Sequence, residues 1–370
     1  MAEKGSSESS THRGYTTAVI ALLLFAQVCG LWMLFTSKLD TAQLRPAAWF
    51  DGEAGKAMGD ALQPSVQNDA DTLSAALRYR LLGDLGAQVV QGCPGWLFYR
   101  DGLRAQPGVH GAFEARVALM KHWSAQLREQ GVQLLVVTVP DKSRVETQAL
   151  CGLQQTAQMQ ARLGQWQAIL TQQGVNHVDL SAALGEQAFF RTDVHMNTRG
   201  AQRAADAVAR GALALLPGKG EQRFSSVLAD AEQPRMGDMI VLAGLEHAPA
   251  SWRPALDQER EEQLRAEASG GLLDDTPPVQ VLLAGSSNGR RSGFAERLGR
   301  DLGQQVWNQS RDGGQFCGAF LAALGERARW PGSLKLVIWE FSESALSLPL
   351  TADERAALAA LPEGQAPDAL

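Results

Sequence analysis

An aspartate and a histidine stand two residues apart in TDVHMNTRGA, as Asp193 and His195. A carboxylate that orients an imidazole is the base half of an acyl-transfer triad, which then needs a nucleophile. Candidates lie in VLLAGSSNG, where an apolar run enters Gly285 and two adjacent serines, Ser286 and Ser287. Glycine lets the backbone turn tightly there, and a helix after the serines would aim backbone N–H groups at an anion. A third stretch, WNQSRDGG, carries Asn308, Gly313 and Gly314. Glycines at such a turn let amides approach a developing oxyanion. Lys142 and Arg144 in VPDKSRV, and Arg290 with Arg291 after the serines, have the charge to hold an anionic sugar. For the latter pair a solvated basic surface is the simpler reading. Taken singly, each signal is ordinary, since a serine after a strand often caps a helix and an aspartate often makes a turn. Their shared position at the ends of apolar runs is what makes them a constellation. No CxxC or His-rich spacing points to a metal, and acyl transfer through serine needs no cofactor.

The positioning elements read as alternating strands and helices. VQLLVVTV (132–139), VNHVDL (175–180), VQVLLAG, QVWNQS and LKLVIWEF are the strands, with helical periodicity at 111–130, 155–173, 198–215, 293–303 and 315–327. Near-continuous apolar strands fit a parallel sheet covered on both faces, so the expected class is an α/β three-layer fold. In such sheets, sites form outside the carboxyl ends of the strands, where the serine turn, the glycine turn and the Asp–His loop all fall. GWLFYRDG (95–102) adds a short aromatic strand. Residues 217–278, charged and irregular, read as an insertion, and residues 349–370 as a peripheral C-terminal tail.

The first segment stands apart. YTTAVIALLLFAQVCGLWMLF, Tyr15 to Phe35, has no charge over about 21 residues, the length of a membrane-crossing helix. Its length, and the poor cleavage site SKLD after it, favour an anchor over a cleaved signal peptide. The expected organisation is a cytoplasmic 1–14, a transmembrane 15–36, a stalk over 37–88 and a catalytic domain over 89–348. Charge asymmetry places the domain outside, in the bacterial periplasm. An oxidising compartment permits a disulfide. Cys93 and Cys151 each lie beside a strand end and can meet, leaving Cys317 free in an apolar helix. A net charge of −6 without a basic run gives no reason to expect nucleic acid.

Several blocks in order resemble the AlgJ/AlgX family of exopolysaccharide O-acetyltransferases, whose catalytic domain is a rearranged SGNH hydrolase. GWLFYRDG, VPDKSRV, TDVHMNTRGA, VLLAGSSNG and VIWEF carry the resemblance, which spans about residues 90–345. It implies Ser287 as nucleophile by G-x-S register, His195 as base and Asp193 as its orienting acid. The Asp–His block precedes the serine, so the resemblance implies a circularly permuted SGNH-like sheet. It makes Asn308–Gly314 the oxyanion block, with Glu340 where an SGNH asparagine is usual. Met196 stands where the family has tryptophan, and altered substrate fit is the expectation. The implied activity moves acetyl groups to hydroxyls of an exopolysaccharide such as alginate or cellulose. The implied partners are a membrane-bound O-acyltransferase as donor and other polysaccharide acetylation and secretion subunits. An acetylesterase with the same triad, or a non-catalytic assembly subunit, are the competing readings.

Overall fold

A computed structural model describes residues 6–36, 44–107, 109, 111–267 and 278–362. The chain divides into two compact units, Met1–Leu77 and Arg78–Leu370. In the first unit a helix runs over Ser6–Thr36. Its Tyr15–Trp32 stretch is long and apolar enough to cross a membrane, and none of it is buried within the protein. Length and composition suit an anchor and a signal sequence alike. Most of the expected stalk is helical, as Pro46–Phe50 and a long helix beginning at Glu53.

The second unit is built on a five-stranded sheet. Its strands are numbered with the smaller ribbons in chain order: β1 (Val89–Gln91), β2 (Leu97–Tyr99), β3 (Gln133–Val139), β4 (Asn176–Asp179), β5 (Phe224–Leu228), β6 (Gln233–Arg235), β7 (Asp257–Glu259), β8 (Glu262–Ala266), β9 (Val281–Ala284), β10 (Val306–Asn308) and β11 (Leu336–Ser342). The large sheet has the order β10-β9-β11-β3-β4, with every pair parallel. The three central strands, β9, β11 and β3, are the most continuously apolar and the most buried, whereas edge strands β4 and β10 are partly exposed. Burial on both faces is what permits an unbroken apolar run in a strand.

Alternate side chains of these strands enter two cores. On one face Leu134, Val136, Leu282, Val337, Trp339 and Phe341 meet helices 112–129, 157–172 and 318–325. This core is aromatic: Trp339 lies 4.8 Å from Phe316 and 4.5 Å from Phe320, centroid to centroid. Its indole donates to the Phe316 carbonyl at 2.8 Å, so burial leaves no N–H unpaired. The other face packs Leu135, Val137, Leu283 and Ile338 against helices 198–213 and 294–302. Alanines line the first of these helices, so it sits close to the sheet. Gly200 makes that approach possible, because a Cβ there would stand 2.0 Å from the Ala188 carbonyl oxygen.

Two expectations are corrected. Over its described residues, 349–362, the segment after Leu348 is not a peripheral tail. Helix 352–359 opens with a Thr351–Glu354 capping box and buries Leu358 in the aromatic core. Glu354 meets Arg116 at 2.6 Å with both side chains fully buried, and Arg116 also donates to the Leu348 carbonyl at 2.8 Å. A buried pair persists only when such hydrogen bonds replace water, so helix 352–359 is pinned. The insertion is ordered over its described part. β5 pairs antiparallel with β8 and β6 with β7, and the apolar MIVLAGL forms helix Asp238–Leu242. Residues 268–277 of the insertion lie outside the described residues.

Candidate active site

At the carboxyl end of β9 the chain enters a tight turn and a single 3-10 turn over Ser287–Gly289. The two serines part company there. Ser286 is buried, and its Oγ donates to Glu340 Oε1 at 2.9 Å while accepting the Asn288 N–H at 3.2 Å. Ser287 is only half-buried, and its Oγ lies 2.7 Å from His195 Nε2. His195 Nδ1 lies 2.6 Å from Asp193 Oδ1, which also accepts the His195 backbone N–H at 3.1 Å. Asp193 is fully buried, and burial by itself would raise its pKa. The His195 hydrogen bonds and charge, with the Arg235 guanidinium, outweigh that and hold it well below the usual carboxylate range. An ionised carboxylate only accepts, so Nδ1 carries the proton and Nε2 faces Ser287 as acceptor. A hydroxyl, an imidazole and a carboxylate so linked can pass the hydroxyl proton to nitrogen as oxygen attacks a carbonyl.

Comparison with known proteins shows the family of the unit that carries this site. Residues 89–343 match the sequence model of the SGNH hydrolase-like domain of acetyltransferase AlgX. The chain belongs to the AlgX family. An Azotobacter vinelandii protein named a probable alginate O-acetylase AlgJ is 29% identical over 75% of this chain and 74% of its own. The Pseudomonas putida alginate biosynthesis protein AlgX is 28% identical over 69% of this chain and 56% of its own. The solved O-acetyltransferase domain of Pseudomonas putida AlgJ superposes with a TM-score of 0.63 at 26% identity, covering 72% of this chain and 94% of that domain.

In this AlgX-family chain, buried charges hold the Asp–His loop on every side. Glu146 accepts the N–H groups of Gln187, Ala188 and Phe189 at 2.8–3.1 Å. Asp257 accepts those of Arg191 and Thr192 and the Thr192 hydroxyl at 2.6–3.1 Å. Lys142 donates to the carbonyls of Leu97, Arg191 and Asp193 at 2.7, 2.8 and 3.1 Å, which ties the GWLF strand to the loop. Burial pushes its ammonium down to about 7, against the charges of Asp257, Asp193, Glu146 and Asp141. Arg235 donates to Asp193 Oδ2 at 2.7 Å. Past the histidine, Asn197 caps helix 198–213 by accepting from Gly200 N–H at 3.0 Å.

Several expectations about substrate contacts do not survive this geometry. Lys142 is 4% exposed, and all three of its donors face backbone carbonyls. Arg144 grips Glu343 through Nε at 2.9 Å and Nη2 at 2.5 Å, and donates to the Met159 carbonyl at 2.7 Å. Both cations brace the sheet edge rather than present a charge to a sugar. Asn308 is also committed. Its Nδ2 donates to the Gly289 carbonyl at 2.9 Å and its Oδ1 accepts from Ser310 N–H at 3.0 Å. Met196 is 2% exposed and packs into the alanine-rich core, so it is not a wall of the substrate site. Gly313 has φ of +70° in the loop after β10, and Gly314 N–H donates to the Arg311 carbonyl at 3.4 Å. Asp312, beside Gly313, lies 3.6 Å from Arg290 and 3.9 Å from Arg291, which places this loop at the rim of the serine turn. Cys93 and Cys151 form a disulfide with Cα atoms 4.9 Å apart, and Cys317 is free and buried.

Sequence reasoning missed Arg235, Asp238 and Asp257, all supplied by the insertion. Asp238 receives Arg291 Nη1 at 3.0 Å, and its Oδ2 lies 3.5 Å from His195 Nδ1. Asp193, His195 and Asp238 bring ligand atoms close enough to suggest a cation site. Their chemistry argues against one. Asp193 is saturated by His195 and Arg235, Asp238 is paired with Arg291, and two guanidiniums repel a metal ion. Arg235 and Asp257 lie 42 to 66 residues from the loop positions they contact, beyond the reach of local pattern.

Proposed function

We propose that this chain is an O-acetyltransferase that moves acetyl groups to hydroxyls of an exopolysaccharide through an acetyl-serine on Ser287. The observation that carries the reading is the hydrogen-bond chain from the half-buried Ser287 Oγ through His195 to Asp193, at 2.7 and 2.6 Å. Relatives named alginate O-acetylases support the reaction class. His195 Nε2 takes the Ser287 proton as Oγ attacks the acetyl carbonyl. The tetrahedral oxyanion is met by the Ser287 amide and a glycine amide, Gly313 or Gly314. Collapse expels the donor's leaving group, which takes the proton from His195. A sugar hydroxyl then gives its proton to His195 and attacks the acetyl-serine, and the departing Ser287 oxygen takes that proton back from His195. Asp193 keeps the imidazole in the required tautomer and stabilises the imidazolium.

On this reading the helix over Ser6–Thr36 anchors the chain in the bacterial inner membrane, with the catalytic unit in the periplasm. The Cys93–Cys151 disulfide suits an oxidising compartment. A periplasmic domain lacks cytosolic acetyl-CoA, so the donor is an acetyl group passed across the membrane by a membrane-bound O-acyltransferase. Other acetylation and secretion subunits present the polymer. The test is to incubate purified protein with an isotopically labelled activated acetyl ester and map the modified peptide. Label on Ser287 that passes to added polysaccharide supports the transferase. Label released only to water makes the chain an esterase, and wild-type polymer acetylation in cells by Ser287→Ala makes it an assembly subunit.

A further inference from the structure

We propose that Glu340 is a positioning residue for the nucleophile, clamping the Gly285–Gly289 turn and so setting the direction of the Ser287 hydroxyl. The inference rests on Ser287 being the nucleophile, but on a group that never touches the reacting atoms. In the sheet, Trp339 of β11 is level with Ala284 of β9, so the next residue of each strand, Glu340 and Gly285, meet at the carboxyl edge. Glu340 Oε2 accepts the Ser286 N–H at 2.7 Å, and Oε1 accepts the Ser286 hydroxyl at 2.9 Å. The Gly289 N–H closes the turn on the Ser286 carbonyl at 3.0 Å. One side chain therefore holds Ser286, the residue on which the turn around Ser287 closes.

The glycines belong to the same device. A Cβ on Gly285 would stand 2.8 Å from Glu340 Oε2 and 2.6 Å from Ser310 Oγ, and one on Gly289 would stand 2.3 Å from Ser310 Oγ. Any larger residue would push the turn off the carboxyl. The clamp also explains why two serines stand together. Ser286 commits its hydroxyl to Glu340, leaving Ser287 alone to face His195.

Glu340 is 2% exposed between buried Trp339 and Phe341, and no lysine or arginine pairs with it among the described residues. Burial, opposed by the Ser286 hydrogen bonds, holds its carboxyl up at about 7. A buried carboxylate without a counter-charge is costly, and an apolar side chain would pack there more stably. Orienting the nucleophile is a use that offsets such a cost.

The experiment uses the full chain at pH 8 and reads two rates, turnover of p-nitrophenyl acetate and modification of Ser287 by a fluorophosphonate. Neither needs the polysaccharide or its donor. Glu340→Asp keeps the charge but withdraws it by one methylene. It is expected to lower kcat and the labelling rate together by about 100-fold, with KM within about twofold of wild type. Glu340→Ala should do the same or worse. Glu340→Gln still accepts the Ser286 N–H and can donate to the Ser286 hydroxyl, so it should stay within about fivefold of wild type. Melting curves check that each variant folds, and if the alanine variant does not, Glu340→Asp decides. A folded Glu340→Asp protein with wild-type kcat and labelling overturns the clamp alone. A wild-type protein that turns over the ester while Ser287 stays unmodified overturns the nucleophile assignment, and the clamp with it.

Discussion

At the scale of single residues, two adjacent serines with different partners make a sharp prediction. Ser287→Ala removes the hydroxyl bonded to His195 and should abolish acetyl-enzyme formation. Ser286→Ala loses one hydrogen bond to Glu340 and the cap on Asn288 N–H, and should cost activity less than about tenfold. Mass mapping of the labelled peptide reads both, and acetyl found on Ser286 in the Ser287→Ala protein would reverse the assignment. Asp193→Asn should lower kcat by about 10³–10⁴ with the fold intact, because an amide no longer enforces the Nδ1–H tautomer. Lys142 yields a different kind of loss. Lys142→Met strands the carbonyls of Leu97, Arg191 and Asp193 in the interior. It should destabilise the protein by about 2–3 kcal/mol in urea titrations and slow turnover, since the loop that slackens carries His195.

At the scale of elements, the insertion is the informative piece. Its charged irregular sequence suggests an appendage. Yet β7 delivers Asp257 beneath Thr192, and β6 delivers Arg235 to Asp193. Asp257→Ala leaves two backbone N–H groups and a hydroxyl without their acceptor. The expected outcome is a loss of about 2–4 kcal/mol, with amide exchange quickening first in the Asp–His loop. Equal protection of that loop in variant and wild type would show that the insertion does not hold it. Arg235→Ala should act more narrowly. Removing that guanidinium raises the Asp193 pKa, so the acid limb of the pH–rate profile should move upward.

At the scale of the whole molecule, the two compact units suggest that residues from Arg78 onward fold by themselves. A truncation starting there should unfold cooperatively, keep the Cys93–Cys151 disulfide and still label at Ser287. Loss of cooperative unfolding would show that the first unit is needed for the second. Stability against pH carries the mark of the unpaired carboxyl. The folded Glu340 holds its proton up to about 7, whereas an unfolded glutamate releases it near 4.5. Its contribution is thus fully present at low pH and is lost as pH rises through that window. Glu340→Gln lacks this titration. Between pH 4 and pH 8 its stability relative to wild type should improve by about 3 kcal/mol, measured by denaturant titration at each pH.

The sequence by itself determined the alternation of the fold and the residue types of the site. Near-continuous apolar runs at β3, β9 and β11 fit strands covered on both faces, and the chemistry-bearing loops after β4, β9 and β10 then lie on one edge of a parallel sheet. Local pattern suffices for that, because it depends on neighbours a few residues apart. What decided the rest was contact between distant segments. Ser286 and Ser287 are equivalent in the bare residues and separated by family register, but in space one meets Glu340 and the other His195. Lys142 and Arg144 look like free surface charges until the backbone carbonyls and Glu343 that claim them are in place. Residues 352–359 look peripheral until Glu354 finds Arg116. A buried charge is tolerable only beside its partner, and the partner's position is a property of the folded chain rather than of spacing along it.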